Sequence, residues 1–191
     1  MGGSDDFLMV IVSSPSGAGK TTLCNRLRAE FKELRFSVSH TTRKPRPTEV
    51  DGREYHFVGE ADFLQMTRGG AFAEWAQVHG NYYGTSLREI ELARGEARGI
   101  IFDIDYQGAR QIRAHLPDAV SIFILPPSLE ELERRLRGRG QDSDVVIQRR
   151  LANAQAEMAH AGEFDYRIIN KDFDIAKAEL AQIVRRERRA H

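Results

Sequence analysis

A glycine-rich loop runs straight into a lysine and two threonines: Ser14-Pro15-Ser16-Gly17-Ala18-Gly19-Lys20-Thr21-Thr22. Glycines let backbone N–H groups turn inward around phosphate oxygens, where a side chain would obstruct them. The helix expected to follow adds the partial positive charge of its N-terminus. Lys20 can then reach the β and γ phosphates, and the Thr21 hydroxyl can ligate Mg²⁺. The spacing is most of the phosphate-loop pattern G-x-x-x-x-G-K-[ST], with Ser14 where the pattern has its first glycine. A chance glycine-rich turn is the bland alternative, but strand, loop and helix are all in place around it. A nucleoside triphosphate is therefore expected over Ser14 to Thr22. The open question is what receives its phosphate: water, a protein or a small molecule.

Three further groups of residues bear on that question. Between Thr41 and Val58, Arg43 and Arg46 stand three apart and are stiffened by Pro45 and Pro47, with Tyr55 following. Two such guanidinium groups can grip one phosphate bidentately, and a phenol can donate a further bond. Taken alone, the stretch would also read as a solvated basic loop. Asp103 and Asp105 lie two apart at the carboxyl end of an apolar run, which puts them on one face of a strand. Open α/β sheets bind ligands at that edge. Asp103 fits an outer-sphere Mg²⁺ or water-positioning carboxylate, or else a buried acid bonded to backbone. Finally, Arg134, Arg135, Arg137, Arg139, Arg149 and Arg150 crowd one helical stretch, some of them as solvated charges.

The run from Thr41 to Val58 resembles the signature segment of guanylate kinases, and the resemblance extends from Val10 to about Glu179. It includes Glu74-Trp75-Ala76, Gly80-Asn81-Tyr82-Tyr83-Gly84, Asp103-Ile104-Asp105-Tyr106-Gln107-Gly108 and Gly138-Arg139-Gly140. What it implies is transfer of the γ-phosphoryl of ATP to GMP, and by extension to dGMP, with Mg²⁺ as cofactor. By that resemblance Glu74 reads the base. Guanine presents N1–H and the N2 amine as adjacent donors, which one carboxylate can accept together. Ser39, Thr85 and Asp105 are placed near the base by the resemblance. Thr85 departs from the serine often found there but keeps the hydroxyl. Tyr83 joins Arg43, Arg46 and Tyr55 on the GMP phosphate. Arg135, Arg139 and Arg150 are expected to fold over the ATP phosphates, and with Lys20 and Arg43 to stabilise the transferring group. No general base is required, because an acceptor phosphate with a second pKa of about 6 is already largely anionic. Two other functions fit less of the chain: a guanylate-kinase-like scaffold that binds phosphopeptides, and a kinase for another nucleoside monophosphate. Gly17, Gly19, Lys20 and Thr21 speak against the first, and Glu74 with Thr85 against the second. A GTPase switch would need an Asn-Lys-x-Asp motif, which is not recognisable here.

These residues need a scaffold that alternates strand and helix. Phe7 to Val12 is a continuous apolar run suited to a strand buried on both faces. Thr21 to Phe31 follows as a helix with Leu23, Cys24, Leu27 and Phe31 on one side. Phe36 to Ser39, Ile100 to Ile104, Val120 to Leu125 and Tyr166 to Asn170 read as further strands. A last helix, about Ile175 to Arg186, carries Ile175, Leu180, Ile183 and Val184. The expected fold is α/β: a P-loop three-layer domain with a five-stranded parallel sheet, formed by 1–36, 89–127 and 158–191. Residues 37–88 are expected as an inserted GMP-binding subdomain, and 128–157 as a helical lid hinged at Gly138-Arg139-Gly140. Capping boxes at Ser86 to Glu89 and at Ser128 to Glu131 open two of the helices.

Composition narrows the class. Lys plus Arg number 28 and Asp plus Glu 28, so global positive charge cannot carry affinity for a polyanion, and no nucleic-acid partner is expected. One cysteine, Cys24, allows no internal disulfide. No apolar run approaches a membrane span, and the acidic start is unlike a signal peptide, so a cytoplasmic location is expected. Cys24 reads as a small buried residue and Trp75 as core or hinge packing. His79 and His160 lack metal-ligand spacing, so no structural metal is expected. Arg185, Arg186, Arg188 and Arg189 suit a helix C-terminus. A homo-oligomer stays open.

Overall fold

The computed structural model describes residues 7–78, 80–138, 140 and 143–190. A five-stranded, all-parallel sheet forms the centre, built from β1 (Leu8–Ser13), β2 (Arg35–Phe36), β7 (Gly99–Asp103), β8 (Val120–Leu125) and β9 (Tyr166–Ile169) in the order β2-β7-β1-β8-β9. The apolar run at β1 is continuous because both faces are covered. Leu8, Val10 and Val12 point to a cluster with Leu23, Leu27, Leu180 and Val184. Met9 and Ile11 point to the other, with Ile90, Ala93, Ala109 and Ile112. Helices α1 (Lys20–Glu30) and α7 (Phe173–Ala190) therefore lie on one face, and α3 (Leu87–Glu96) and α4 (Tyr106–His115) on the other. Fully burying each aliphatic side chain is worth roughly 1.5–3 kcal/mol, so this double-sided core is the dominant stabilising term.

A second, four-stranded sheet stands outside the core, in the order β4-β3-β6-β5. It comprises β3 (His40–Thr41), β4 (His56–Phe57), β5 (Phe72–Val78) and β6 (Asn81–Ser86). Helix α2 (Glu60–Arg68) closes it through Phe63, which is fully buried and stacks on Phe72 with ring centroids 4.5 Å apart. Helices α5 (Leu129–Gly138) and α6 (Asp144–Met158) pair through their own small core of Leu132, Leu136, Ile147 and Ala154. A short 3-10 helix, Ala161–Glu163, returns the chain to β9.

Two expectations need correction. Phe36 to Ser39 is not one strand. The ladder to β7 ends with the Ser37 N–H, which donates to the Ile101 carbonyl at 3.0 Å; the Val38 N–H donates to the Glu89 carboxylate at 3.1 Å, and the chain enters the second sheet at His40. Ile175 does not face the core: it is 68% exposed, while Ala176 beside it is fully buried. The inward positions of α7 run through Ala176, Leu180 and Val184 at a spacing of four, one residue off Ile175. Both capping boxes form by half. Ser86 Oγ accepts the Glu89 N–H at 3.3 Å and Ser128 Oγ the Glu131 N–H at 3.1 Å. The two glutamates, however, turn to arginines instead of back to the caps: Glu89 to Arg35, and Glu131 to Arg134 and Arg135.

Candidate active site

The phosphate loop crosses from β1 to α1 at the carboxyl edge of the central sheet. Gly17 and Gly19 adopt left-handed φ of 91° and 97°, which any other residue would strain to reach. Both are also crowded. A Cβ on Gly17 would come within 2.8 Å of Leu132 Cδ1, and one on Gly19 would collide with Asn170 Nδ2. Asn170, buried at the end of β9, donates from Nδ2 to the Ala18 carbonyl at 2.7 Å. Arg135 on α5 donates to the Asn170 carbonyl at 2.9 Å and to Glu131 Oε1 at 2.8 Å. From sequence alone Asn170 reads only as a strand end. A buried amide carries no periodic signal, and only the fold brings it across 152 residues to Ala18.

Behind the loop, Lys20 Nζ sits 2.5 Å from Asp103 Oδ1 and donates to the Ile104 carbonyl at 3.3 Å. Burial works against the lysine's charge. The charge of Asp103 and the hydrogen bond to it outweigh burial and hold the pKa above the ordinary lysine value. Lys20 is thus a stable cation at the mouth of the site.

A cavity of about 350 Å³ opens between the two sheets. Lys20, Thr21, Asp103 and Asp105 border it on the side of the central sheet, and Ser39, Tyr55, Glu74 and Tyr83 on the side of the second. Eight residues expected to handle nucleotide thus converge from six separate segments. Thr85 stands immediately behind, fully buried, with its hydroxyl 3.2 Å from that of Ser39. Asp105 also caps α4, accepting the Gly108 N–H at 2.8 Å. Arg28, Phe36, Ser37 and Glu54 also line the wall and are not among the residues expected there from sequence. Arg28 was readable, since it follows Thr21 by seven residues on the same helix face; its guanidinium lies 4.5 Å over the Phe36 ring.

Glu74 is the most unusual group in the cavity. It is only 4% exposed, and its Oε1 accepts the Thr85 N–H at 2.8 Å. Burial, with the charge of Asp105 adding to it, pushes its pKa up to about 7, although the bonds from Thr85 pull the other way. Among the described residues no cation pairs with it. A carboxylate held in this way is prepared for a ligand that brings adjacent N–H donors.

Arg43 and Arg46 lie beside the cavity rather than in its wall. Both meet Glu49. Arg43 grips this carboxylate bidentately at 3.0 and 2.8 Å, and the Arg46 backbone N–H donates to it at 2.7 Å. Arg43 also lies 5.3 Å over the Tyr55 ring, and Tyr55 packs edge-on to Tyr83 at 5.9 Å. Glu49 thus occupies the kind of bidentate seat that a phosphate would take, and it was not foreseen from sequence.

Trp75 is neither core nor hinge packing: it is 37% exposed, and its backbone is held by Gln111. Of the lid arginines, Arg134 and Arg137 pair with Glu131, Glu133 and Asp144 at the surface, as expected of solvated helix-face charges. Arg150 is half-buried on α6. Arg139 and His79 lie outside the described residues. His160 stacks on Tyr106 with centroids 4.1 Å apart and contacts Glu163. At the end of α7, Arg185 and Arg188 pair with Glu30 and Glu33 near the end of α1.

The guanylate kinase family model matches residues 8–187. A guanylate kinase of Aromatoleum aromaticum is 55% identical over 180 residues, spanning 94% of this chain and 88% of that one. That of Escherichia coli (strain K12) is 53% identical over 182 residues, with 94% and 88% covered. The crystal structure of guanylate kinase from Anaplasma phagocytophilum superimposes with a TM-score of 0.77 at 33% identity, covering 95% of this chain and 86% of that one.

Proposed function

Since the chain belongs to the guanylate kinase family and is an ATP:GMP phosphotransferase, we propose how its residues divide that reaction. The loop from Ser14 to Thr22 takes the phosphates of ATP, with Lys20 against the β and γ groups. Glu74, supported by Thr85 and Ser39, takes guanine through N1–H and N2–H, with Asp105 close by. Arg43, Arg46, Tyr55 and Tyr83 take the phosphate of GMP. For Arg43 this means exchanging the Glu49 carboxylate for a phosphate of similar bidentate geometry.

The observation that carries the reading is Glu74, a buried carboxylate that pairs with no cation among the described residues and faces the same cavity as Lys20. A site that read adenine would need a different set of partners there, because adenine offers no adjacent donor pair.

Catalysis is then positioning and charge neutralisation. The anionic acceptor phosphate attacks without a base. Arg135, Arg139 and Arg150 close over the transferring group, and lid closure keeps water out. Thr21 and Asp103 offer hard oxygen donors beside Lys20, a set that suits Mg²⁺. The ion would be held by the Thr21 hydroxyl and, through water, by Asp103, and would neutralise charge on the β and γ phosphates. Among the described residues no helix is long and apolar enough to cross a membrane, which is compatible with the cytoplasmic location we propose. The 2′-hydroxyl of GMP has no assigned partner in this scheme, so dGMP is a second acceptor.

A coupled assay of ATP against GMP, AMP, CMP and UMP tests the assignment. GMP is expected to be the strongly preferred acceptor. Turnover of another of these monophosphates at an equal or greater rate would overturn it.

A further inference from the structure

Strand β5, which carries Glu74, is an edge strand: among the described residues only β6 pairs with it. The pairing is also irregular where it matters most, with a register shift between Phe72 and Glu74. A bulge of this kind re-aims a side chain but loosens the ladder that holds it. The outer edge of β5 is supported from elsewhere. Gln111 on α4 accepts the Trp75 N–H at 3.1 Å and donates from Nε2 to the Trp75 carbonyl at 2.7 Å. Its amide satisfies both backbone groups of one residue, as a neighbouring strand would. The orientation of the amide is chemically forced, because the flipped form would set N–H against N–H and oxygen against oxygen.

One turn earlier on the same face of α4 is Gly108. A Cβ there would lie 2.7 Å from Glu74 Oε2. Helix α4 therefore touches the base-reading segment twice, by a double hydrogen bond next to Glu74 and by a bare backbone against its carboxylate. Thr85 holds the other carboxylate oxygen from the β6 side.

We propose that Gln111 is a positioning residue for base selection, clamping the edge of β5 so that the Glu74 carboxylate stays aimed at two adjacent donors. Gly108 provides the room the carboxylate needs. The proposal rests on Glu74 as the reader of the base and deepens that reading. Gln111 touches no substrate; it acts through Trp75 and Glu74.

The test is Gln111→Met, which keeps side-chain length and helix preference but removes both hydrogen bonds. Kinetics with GMP and with IMP, which lacks the N2 amine, separate aim from general damage. Losing two hydrogen bonds that fix Glu74 should raise KM for GMP by about tenfold. IMP, which engages the carboxylate through one donor, should be affected much less, so the preference for GMP over IMP falls. KM for ATP and the melting temperature should stay close to wild type. Gly108→Ala is the second variant. Alanine is the better helix former, so a fall in the same preference cannot be assigned to a weakened helix. Equal losses for GMP and IMP, or unchanged preference in both variants, would overturn the proposal. If Gln111→Met fails to fold, Gly108→Ala alone decides whether α4 sets the aim of Glu74. A wild-type enzyme that used IMP as well as GMP would instead defeat the reading of Glu74 itself. A wild type that prefers GMP beside variants that keep the preference defeats only the role of α4.

Discussion

Lys20 Nζ and Asp103 Oδ1 stand 2.5 Å apart, so the lysine of the phosphate loop is held as a cation by a carboxylate across the sheet edge. On the proposed role, an arriving triphosphate would exchange one anionic partner of Lys20 for another, with the lysine already charged and in place. Lys20→Ala should therefore lower kcat by about 10²–10³, the scale for losing one donor to a developing charge. The pair is partly exposed, so stability should change by only about 1 kcal/mol or less. Steady-state rates and thermal melts check both; unchanged turnover would sink the role.

The raised pKa of Glu74 couples base binding to pH. On the proposed role of Glu74, guanine would need the carboxylate ionised, whereas burial raises its pKa to about 7. GMP affinity should rise with pH and level off above that point. The GMP phosphate titrates in the same range, so Glu74→Gln is the control. The ratio of variant to wild-type Kd should climb by up to tenfold per pH unit below about 7 and be flat above it. A ratio independent of pH would refute the coupling. Stability moves with pH in the opposite direction to affinity. The folded state binds the extra proton between the usual carboxylate value near 4.5 and about 7. Stability present at low pH is therefore lost as pH rises through that window, by at most about 1.4 kcal/mol per unit. Glu74→Gln should flatten this part of the curve.

Asn170→Ala tests the tie between β9 and the phosphate loop. The Ala18 carbonyl would lose its buried donor, at a cost of about 1–3 kcal/mol. Because that carbonyl lies within the loop, KM for ATP should rise while KM for GMP moves little. Chemical denaturation and initial rates measure the two effects. A loss confined to GMP would contradict the assignment.

Cys24 should be inert in the native protein. Burial, with the nearby charge of Asp103, pushes its thiol up to about 12, so almost no thiolate exists at neutral pH. A colourimetric thiol reagent should label it only after denaturation. Rapid native labelling would show that α1 opens far more readily than its packing implies.

How far the site was legible differs from residue to residue. Lys20, Thr21 and the glycines before them could be read directly, because one continuous loop must present backbone N–H groups and a cation to phosphate. The β1 strand was as plain, since a sheet covered on both faces demands an unbroken apolar run. Glu74 could be named only through the resemblance: its local sequence is equally that of a surface strand, and its burial depends on α4 and β6 closing around it. Asn170, Glu49 and Gln111 were invisible for the same reason. Asn170 and Gln111 find their partners on other elements, and Glu49 finds its own within one loop whose fold brings Arg43 and Arg46 around it, so each role exists only after folding. Between the two sheets the Val38 N–H likewise finds its acceptor in Glu89, more than fifty residues along the chain. By itself the sequence determined which side chains could meet phosphate and which faces had to be buried, because loop chemistry and hydrophobic period are local. Only the tertiary structure decided which carboxylate stays unpaired in the cavity and which ones are spent on arginine and lysine. Burial and pairing are set by neighbours that the chain brings together from a distance.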